Sequence, residues 1–221
     1  ASDEASLNRK VSTYGNLGVL WQNAGDLARS KAYYQESLRY SDRLIAMTTD
    51  QFTRDEAVVS RSRGYVNLAT VYFEAGDDGR ARELLELAWK DRSSVLEADD
   101  PQLLAIRERM ADLEMSKGTL QKARTLIGAY LTQCERKWGR GSEEYLRACS
   151  KLGEVEQRSG NQAKADSLLR ISIEASIGNR DRRTDVMLAR SYQRRAQLHS
   201  ERGLHAEAIA DLERARAVMV A

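Results

Sequence analysis

Few residues in this chain could carry out catalytic chemistry. The two histidines, His199 and His205, lie on either side of Gly203, and the spacing of Cys134 and Cys149 matches no zinc-binding pattern. The sequence contains no glycine-rich phosphate loop and no recognisable grouping of serine, histidine and aspartate. It therefore predicts a protein that is not an enzyme and that uses no cofactor, no metal and no small-molecule substrate.

These histidines and cysteines are better explained as packing residues. His199 occupies a position where other segments carry Trp21 and Tyr72, so we expect a packed or partly buried ring rather than a ligand or base. We expect Cys134 and Cys149 to be reduced core residues, although they could approach each other. The compartment stays open, with a cytoplasmic location slightly favoured over a periplasmic or secreted one.

The composition indicates helices and excludes some partners. Charged residues make up 31% of the chain and aromatics 6%, with Pro101 as the single proline, a balance typical of amphipathic helices. The 35 basic and 33 acidic residues give a net charge of +2, too small to predict nucleic acid or an anionic membrane as the main partner. No apolar run approaches the length of a membrane span, so we expect a soluble protein.

Five segments of the chain share one pattern. In each, an apolar-periodic stretch ends at a glycine, and a second stretch carries alanine or serine five residues after it. The intervals between these glycines are 51, 42, 42 and 43 residues, and the glycines are Gly25, Gly76, Gly118, Gly160 and Gly203. A period this regular predicts a helical solenoid, whose extended surface suits the binding of a protein or peptide.

The segment around Gly76 shows the pattern clearly. Apolar residues recur at the spacing of one helix face on both sides of the glycine, at Tyr65, Leu68, Ala69 and Tyr72 and then at Ala81, Leu84, Leu85, Ala88 and Trp89. Glycine ends a helix readily because it takes left-handed backbone at little cost. Small residues recur seven positions before and five after each turn glycine, and often twelve after it, so we expect the paired helices to cross closely there.

This pattern resembles the tetratricopeptide repeat. The resemblance is clearest in two stretches, Asn16 to Trp21 followed by Ala24-Gly25-Asp26, and Asn67 to Tyr72 followed by Ala75-Gly76-Asp77. It implies an all-α, right-handed superhelix in which alternating A and B helices stack and the A helices line the concave side. The period of about 42 residues exceeds the usual 34, which looks like the long repeats of the kinesin-light-chain type.

The resemblance predicts five helix-turn-helix repeats in one solenoid over residues 1–221. The approximate repeats are 8–47, 56–98, 101–137, 142–178 and 184–219. The first interval is nine residues longer than the 42-residue repeat. We assign that excess to extended helix ends around Ala46 to Ser60, because no second turn glycine appears there.

The resemblance also suggests which side chains line the concave groove. In the family, defined positions of each A helix point into it, and the matching positions of this chain that we take as the peptide-binding site are Asn16, Asn23, Arg63, Asn67, Phe73, Arg109, Arg147, Lys151, Arg190 and Arg194. The same count places beside them Val19, Gln22, Thr70, Glu74, Asp112, Met115, Glu154, Arg158 and Gln197.

Two kinds of group stand out in this set. Asn16 and Asn67 occupy a position where related repeats use the asparagine amide to hold a peptide backbone; alternatively, each amide bonds the neighbouring repeat. The cations of the carboxyl half could bind an acidic segment or a terminal carboxylate, or could form a solvated surface relieved by Glu154 and Glu201. The carboxylate clamp of chaperone-binding relatives is not reproduced, because Val19, Thr70 and Asp112 stand at its asparagine positions.

We therefore expect a protein-interaction scaffold that binds a peptide or partner segment in its groove. The alternative is a regulatory or sensor segment of a larger signalling or proteolytic enzyme whose catalytic domain lies outside this sequence. RNA binding through Arg180, Arg182 and Arg183 is a weaker third hypothesis, because no aromatic residues are interleaved.

The last apolar stretch suggests self-association. It carries five apolar residues with no further helix in the sequence to cover them, namely Ile209, Leu212, Ala215, Val218 and Met219. The final repeat of a solenoid otherwise leaves its stacking surface in water. We expect this end to be covered by the next part of a longer protein or by a second copy of the chain.

Overall fold

The structure is a computed structural model that describes residues 2–98, 100–178 and 182–220, without the side chains of residues 2 and 182–184. Over these residues the chain forms ten α-helices and no strand. In chain order they are α1 (Ser2–Asn23), α2 (Leu27–Met47), α3 (Gln51–Glu74), α4 (Asp78–Ser93), α5 (Pro101–Ser116), α6 (Leu120–Trp138), α7 (Glu143–Arg158), α8 (Gln162–Gly178), α9 (Arg182–Glu201) and α10 (His205–Val220). The predicted all-α fold of five helix pairs is confirmed.

Each pair consists of an odd-numbered A helix and an even-numbered B helix joined at the expected glycine. All five turn glycines have positive φ, between 74° and 80°. An L-residue with a side chain rarely adopts this backbone conformation. The periodic glycines therefore mark the ends of the A helices.

The small residues lie where the helices of a pair cross. The five residues that follow the turn glycines by five positions are at most 7% exposed, namely Ser30, Ala81, Ala123, Ala165 and Ala208. In the first pair, a Cβ added to Gly18 would lie 2.6 Å from the ring of Tyr34. The Ser30 hydroxyl donates to the Gly18 carbonyl over 2.8 Å, so the backbones approach closely there.

The long first interval is taken up by helix, as expected. The helices α2 and α3 contain 21 and 24 residues and are separated by only three. Asp50 begins α3 by accepting a hydrogen bond from the Thr53 backbone N–H over 2.8 Å. The extra residues therefore lengthen this helix rather than form a sixth repeat.

The chain divides into two compact units, Ala1–Leu113 and Glu114–Ala221. The core of the first unit includes an apolar cluster in which Leu85, Ala88 and Ile106 pack together. In the second unit, buried carboxylates accompany the apolar core. That residues 1–221 form one solenoid domain stays a prediction.

Two buried carboxylates tie helices together within the second unit. Glu156 of α7 accepts hydrogen bonds from Arg124 at 2.9 Å, Asn161 at 2.7 Å and Lys164 at 2.6 Å. Asp211 of α10 accepts two hydrogen bonds from Arg195 of α9, each 2.7 Å long. Buried charges need such partners because isolated ones are costly to desolvate.

His199 is packed, as expected. Its side chain is 14% exposed, with Nδ1 3.4 Å from Asp211 and Nε2 3.7 Å from Asp166.

Cys134 and Cys149 are free and fully buried. Over the described part of the chain, no helix combines the length and apolar character that crossing a bilayer requires.

The expectation for the last helix needs one correction. Ala215 is 3% exposed and Val218 packs against the same core cluster, so neither contributes to an uncovered surface. Both lie on the face of α10 that also carries Asp211 and packs against α9, at spacings of three and four residues. The exposed apolar residues are on the other face, at Ile209, Leu212, Met219 and Val220.

Candidate functional site

Polar contacts join the A helices of the first unit. The Gln22 amide of α1 donates to Glu74 of α3 over 2.9 Å, and Arg109 of α5 donates to the Thr70 hydroxyl of α3 over 3.2 Å. The helix α3 therefore lies between α1 and α5 on one surface. We call this surface, formed by α1, α3 and α5, the A-helix face of the first unit.

One stripe of α3 runs along this face. Arg63, Asn67, Thr70 and Glu74 follow one another at intervals of four, three and four residues, which places them on the same side of the helix. Asn67 is half-buried and Asn16 of α1 is exposed, and neither amide makes a hydrogen bond within the described residues. Both amides can therefore pair with a ligand backbone.

A pocket opens at the carboxyl end of this stripe. Its volume is about 90 Å³, and four buried apolar residues form its floor, Ala69, Ala81, Leu85 and Leu113. Thr70, Phe73, Arg109 and Asp112 stand around its mouth. Phe73 is 42% exposed, so part of its side chain remains open to solvent. An apolar floor with a few converging polar groups is the usual composition of a ligand pocket.

Glu74, which follows the pocket residue Phe73 on α3, belongs to a chain of hydrogen bonds from α2 and α1. The Tyr34 hydroxyl donates to the Gln22 amide oxygen over 3.2 Å, and the amide nitrogen of Gln22 in turn donates to Glu74. Burial, together with the nearby charge of Glu74, raises the pKa of Tyr34. The tyrosine therefore remains a donor at neutral pH and holds Gln22 in place.

A second hollow lies at the amino end of α3. Its volume is about 300 Å³, and its lining includes Phe52, Val59, Arg63, Val95 and Leu96. Phe52 is 71% exposed. Arg63 thus borders this hollow, while Phe73 lies about 15 Å further along the helix axis, since the rise is about 1.5 Å per residue.

The cations of the second unit are partly neutralised. Arg194 of α9 donates to the Ser150 hydroxyl over 2.7 Å and pairs with Glu154 of α7 at 2.8 Å. Arg147 donates to the hydroxyl of Tyr130 over 3.3 Å, and Lys151 is half-buried. Of the five cations that the groove count places here, Arg158 and Arg190 are exposed. This surface is consequently less cationic than its sequence suggests.

The outcome for the other predicted groove residues is mixed. Asn23 is exposed at the end of α1. Met115 does not line a surface: it is 5% exposed, because an apolar side chain gains free energy by leaving water. Arg180 and the side chains of Arg182 and Arg183 lie outside the described residues. Over residues 2–98, 100–178 and 182–220, no three metal-ligating side chains are grouped to hold an ion.

The pocket floor was not identified from the sequence. Ala69, Ala81 and Leu85 appeared there only as helix-packing residues, because they follow the periodic pattern of the core. Leu113 precedes Gly118 by five residues and carries no separate signal. The exposed Phe52 was also missed, although an aromatic residue two positions after an N-cap aspartate is a visible departure from a polar helix start.

Comparison with known proteins identifies the repeat. Tetratricopeptide repeat models match residues 11–44 and 64–102, and another such model matches residues 189–215. No curated protein sequence matches the chain significantly.

Several solved structures share the fold. BtubC (BKLC) from P. vanneervenii is 17% identical with a TM-score of 0.78, and the alignment covers 98% of this chain and 89% of that one. A putative kinesin light chain from Podosopora anserina with nearly identical TPR-like repeats is 20% identical with a TM-score of 0.70, covering 94% and 93%. YrrB, described as a TPR protein with an unusual peptide-binding site, is 14% identical with a TM-score of 0.53, covering 93% and 84%.

Proposed function

Because the chain carries tetratricopeptide repeats in a fold shared with kinesin-light-chain-like proteins, we propose that it is a protein-interaction scaffold. Its ligand is a peptide or partner segment that lies along the A-helix face of the first unit. The pocket beside Phe73 carries this proposal. It combines an apolar floor with a donor, Arg109, and an acceptor, Asp112, at its mouth.

The size of the pocket suggests what enters it. A volume of about 90 Å³ accommodates one small apolar side chain. The neighbouring Asn67 amide can bond the main chain of the same ligand whatever its sequence. We therefore propose a ligand with one aliphatic anchor residue, held by its backbone along the α3 stripe. That YrrB is described as having a peptide-binding site supports a peptide as the ligand class.

A displayed random peptide library, selected on the wild-type protein, provides the probe for a test. Calorimetric titration then compares the selected peptide's affinity for the wild type and for two variants, Phe73→Ala and Arg109→Ala. We expect Phe73→Ala to weaken binding by about 1–2 kcal/mol through lost apolar contact. We expect Arg109→Ala to weaken it by about 1–3 kcal/mol through a lost charge-assisted bond.

Two substitutions serve as matched controls. Phe52→Ala removes a more exposed ring at the other end of α3, and Arg80→Ala removes an exposed cation from the B helix α4. Both should leave the affinity unchanged. A selection that yields no peptide, or peptides that depend on Phe52 rather than Phe73, would contradict the proposal.

A further inference from the structure

The helix α10 exposes a stripe that combines apolar and charged residues. Ile209, Leu212 and Met219 are 58%, 51% and 62% exposed. Glu213 and Arg216 are also exposed and lie within the same arc of the helix, since each residue advances by 100°. Within the described residues, neither of these two charges makes an ion pair.

The same positions of the preceding repeat are used for helix packing. Asp166, Leu169 and Ile173 follow Gly160 by six, nine and thirteen residues, and Ile209, Leu212 and Arg216 follow Gly203 by the same distances. The three α8 residues meet α9: Leu169 clusters with Leu198, Ile173 with Leu188 and Tyr192, and Asp166 approaches His199 at 3.7 Å. The stripe on α10 is therefore a helix-packing face that no described element covers.

The order of residues on this stripe is self-complementary. If two α10 helices lie antiparallel about a two-fold axis near residue 214, Ile209 faces Met219 of the second copy. In the same arrangement Leu212 faces Arg216, whose aliphatic stem can cover the leucine. The Arg216 guanidinium then reaches Glu213 of the second copy, and the axis repeats this pair. A parallel pair would instead place the two arginines against each other.

We propose that the α10 stripe binds the α10 stripe of a second copy of this chain in this antiparallel arrangement. This inference is independent of the peptide-binding proposal, because it involves a B helix of the second unit. The interface is small: one pair of sixteen-residue helices lies at the low end of specific interfaces, below about 1,200 Å² in total. The dimer is therefore weak and reversible.

Sedimentation equilibrium of the full 221-residue chain, from low to several hundred micromolar, tests this proposal. We expect a concentration-dependent monomer–dimer equilibrium. Arg216→Glu or Glu213→Arg alone should weaken dimerisation by about tenfold, because each places two like-charge pairs across the axis. The double variant Glu213→Arg with Arg216→Glu restores both attractive pairs and should return the dissociation constant to near the wild-type value.

The reversal Glu207→Arg provides the control, since Glu207 is exposed on the opposite side of α10 and should have no effect. Circular dichroism should show the same helix content for every variant. A wild-type chain that stays monomeric throughout would overturn the proposal. A dimer that is insensitive to Arg216→Glu, or that the double variant fails to restore, would equally exclude this arrangement.

Discussion

The side chains of the A-helix face differ in how the protein holds them. Arg109 is exposed at the surface yet hydrogen-bonded to Thr70, so its guanidinium is oriented toward the pocket mouth. Asn67 has no such bond and presents its amide along the α3 stripe. A ligand that bonds this amide does not break an internal contact, which favours binding because no existing hydrogen bond is lost.

Removing the polar groups of this stripe should weaken ligand binding. The double variant Asn67→Ala with Arg63→Ala should reduce the affinity for a library-selected peptide by about 1–3 kcal/mol, the range for hydrogen bonds to charged or buried groups. Titration measures the loss, and circular dichroism should show unchanged helix content. An unaltered affinity would exclude the middle of α3 from the binding surface.

The two cysteines should be unreactive in the folded protein. Both are fully buried, and burial raises the pKa of the Cys149 thiol to about 11. Because the thiolate is the reactive form, alkylation with iodoacetamide at neutral pH should be slow in buffer and fast in urea. Mass spectrometry counts the modified thiols. Rapid labelling of the native protein, or a stoichiometric disulfide after purification, would be inconsistent with this environment.

At the scale of helices, the packing of a pair requires that the two helix backbones approach closely where they cross. Gly18→Ala places a Cβ 2.6 Å from the ring of Tyr34 and should destabilise the protein by about 1–3 kcal/mol. Gly15 lies on the same helix with Ser37 Oγ as its nearest neighbour at 3.6 Å, so Gly15→Ala should instead stabilise by about 0.5–1 kcal/mol. Urea unfolding compares the two. Equal effects would show that α1 and α2 do not cross at Gly18.

The buried carboxylate of Glu156 should make the free energy of unfolding depend on pH in the acidic range. Although burial raises its pKa, hydrogen bonds from Lys164, Asn161 and Arg124 lower the pKa below the ordinary value. The folded protein therefore binds this proton more weakly than the unfolded chain. The stabilisation is present above the ordinary carboxyl pKa and is lost as pH falls from about 5 through the lowered pKa.

The variant Glu156→Gln tests this dependence. At neutral pH it should cost about 1.5–3 kcal/mol, because hydrogen bonds to a charged acceptor are lost, and its stability should fall less steeply in acid than the wild type's. Chemical unfolding between pH 7 and acid measures both effects. Glu83→Gln, which changes an exposed pair with Arg80, provides the control and should alter neither. Parallel acid profiles for Glu156→Gln and the wild type would rule out the carboxylate as the cause.

The helices and their crossings were predictable because every repeat carries a turn glycine and a small residue at the helix crossing. Gly25 and Gly203 both take positive φ, and Ser30 and Ala208 are both buried. The pocket was not predictable, because its floor forms only when α3, α4 and α5 meet. The sequence indicated that Glu154 could relieve the cations around it, but a repeat-based count could not single out Arg194 as its partner, since the two residues are forty positions apart.

At the scale of the whole molecule, the residues that recur in every repeat differ in role from those that vary between repeats. The residues that recur in all five repeats are small or apolar and hold the helices together. Those that differ between repeats, such as Phe73 and Arg109, lie at the surface and distinguish one part of the A-helix face from another. We therefore propose that ligand specificity comes from the second and third repeats, where these residues line an apolar pocket.

A crystal structure of the protein bound to a library-selected peptide would test the central claim most directly. The proposal predicts peptide density along α3, with one aliphatic side chain in the pocket beside Phe73 and a peptide backbone group within hydrogen-bonding distance of the Asn67 amide. Density for the peptide elsewhere, with that pocket and the Asn67 amide left uncontacted, would contradict it.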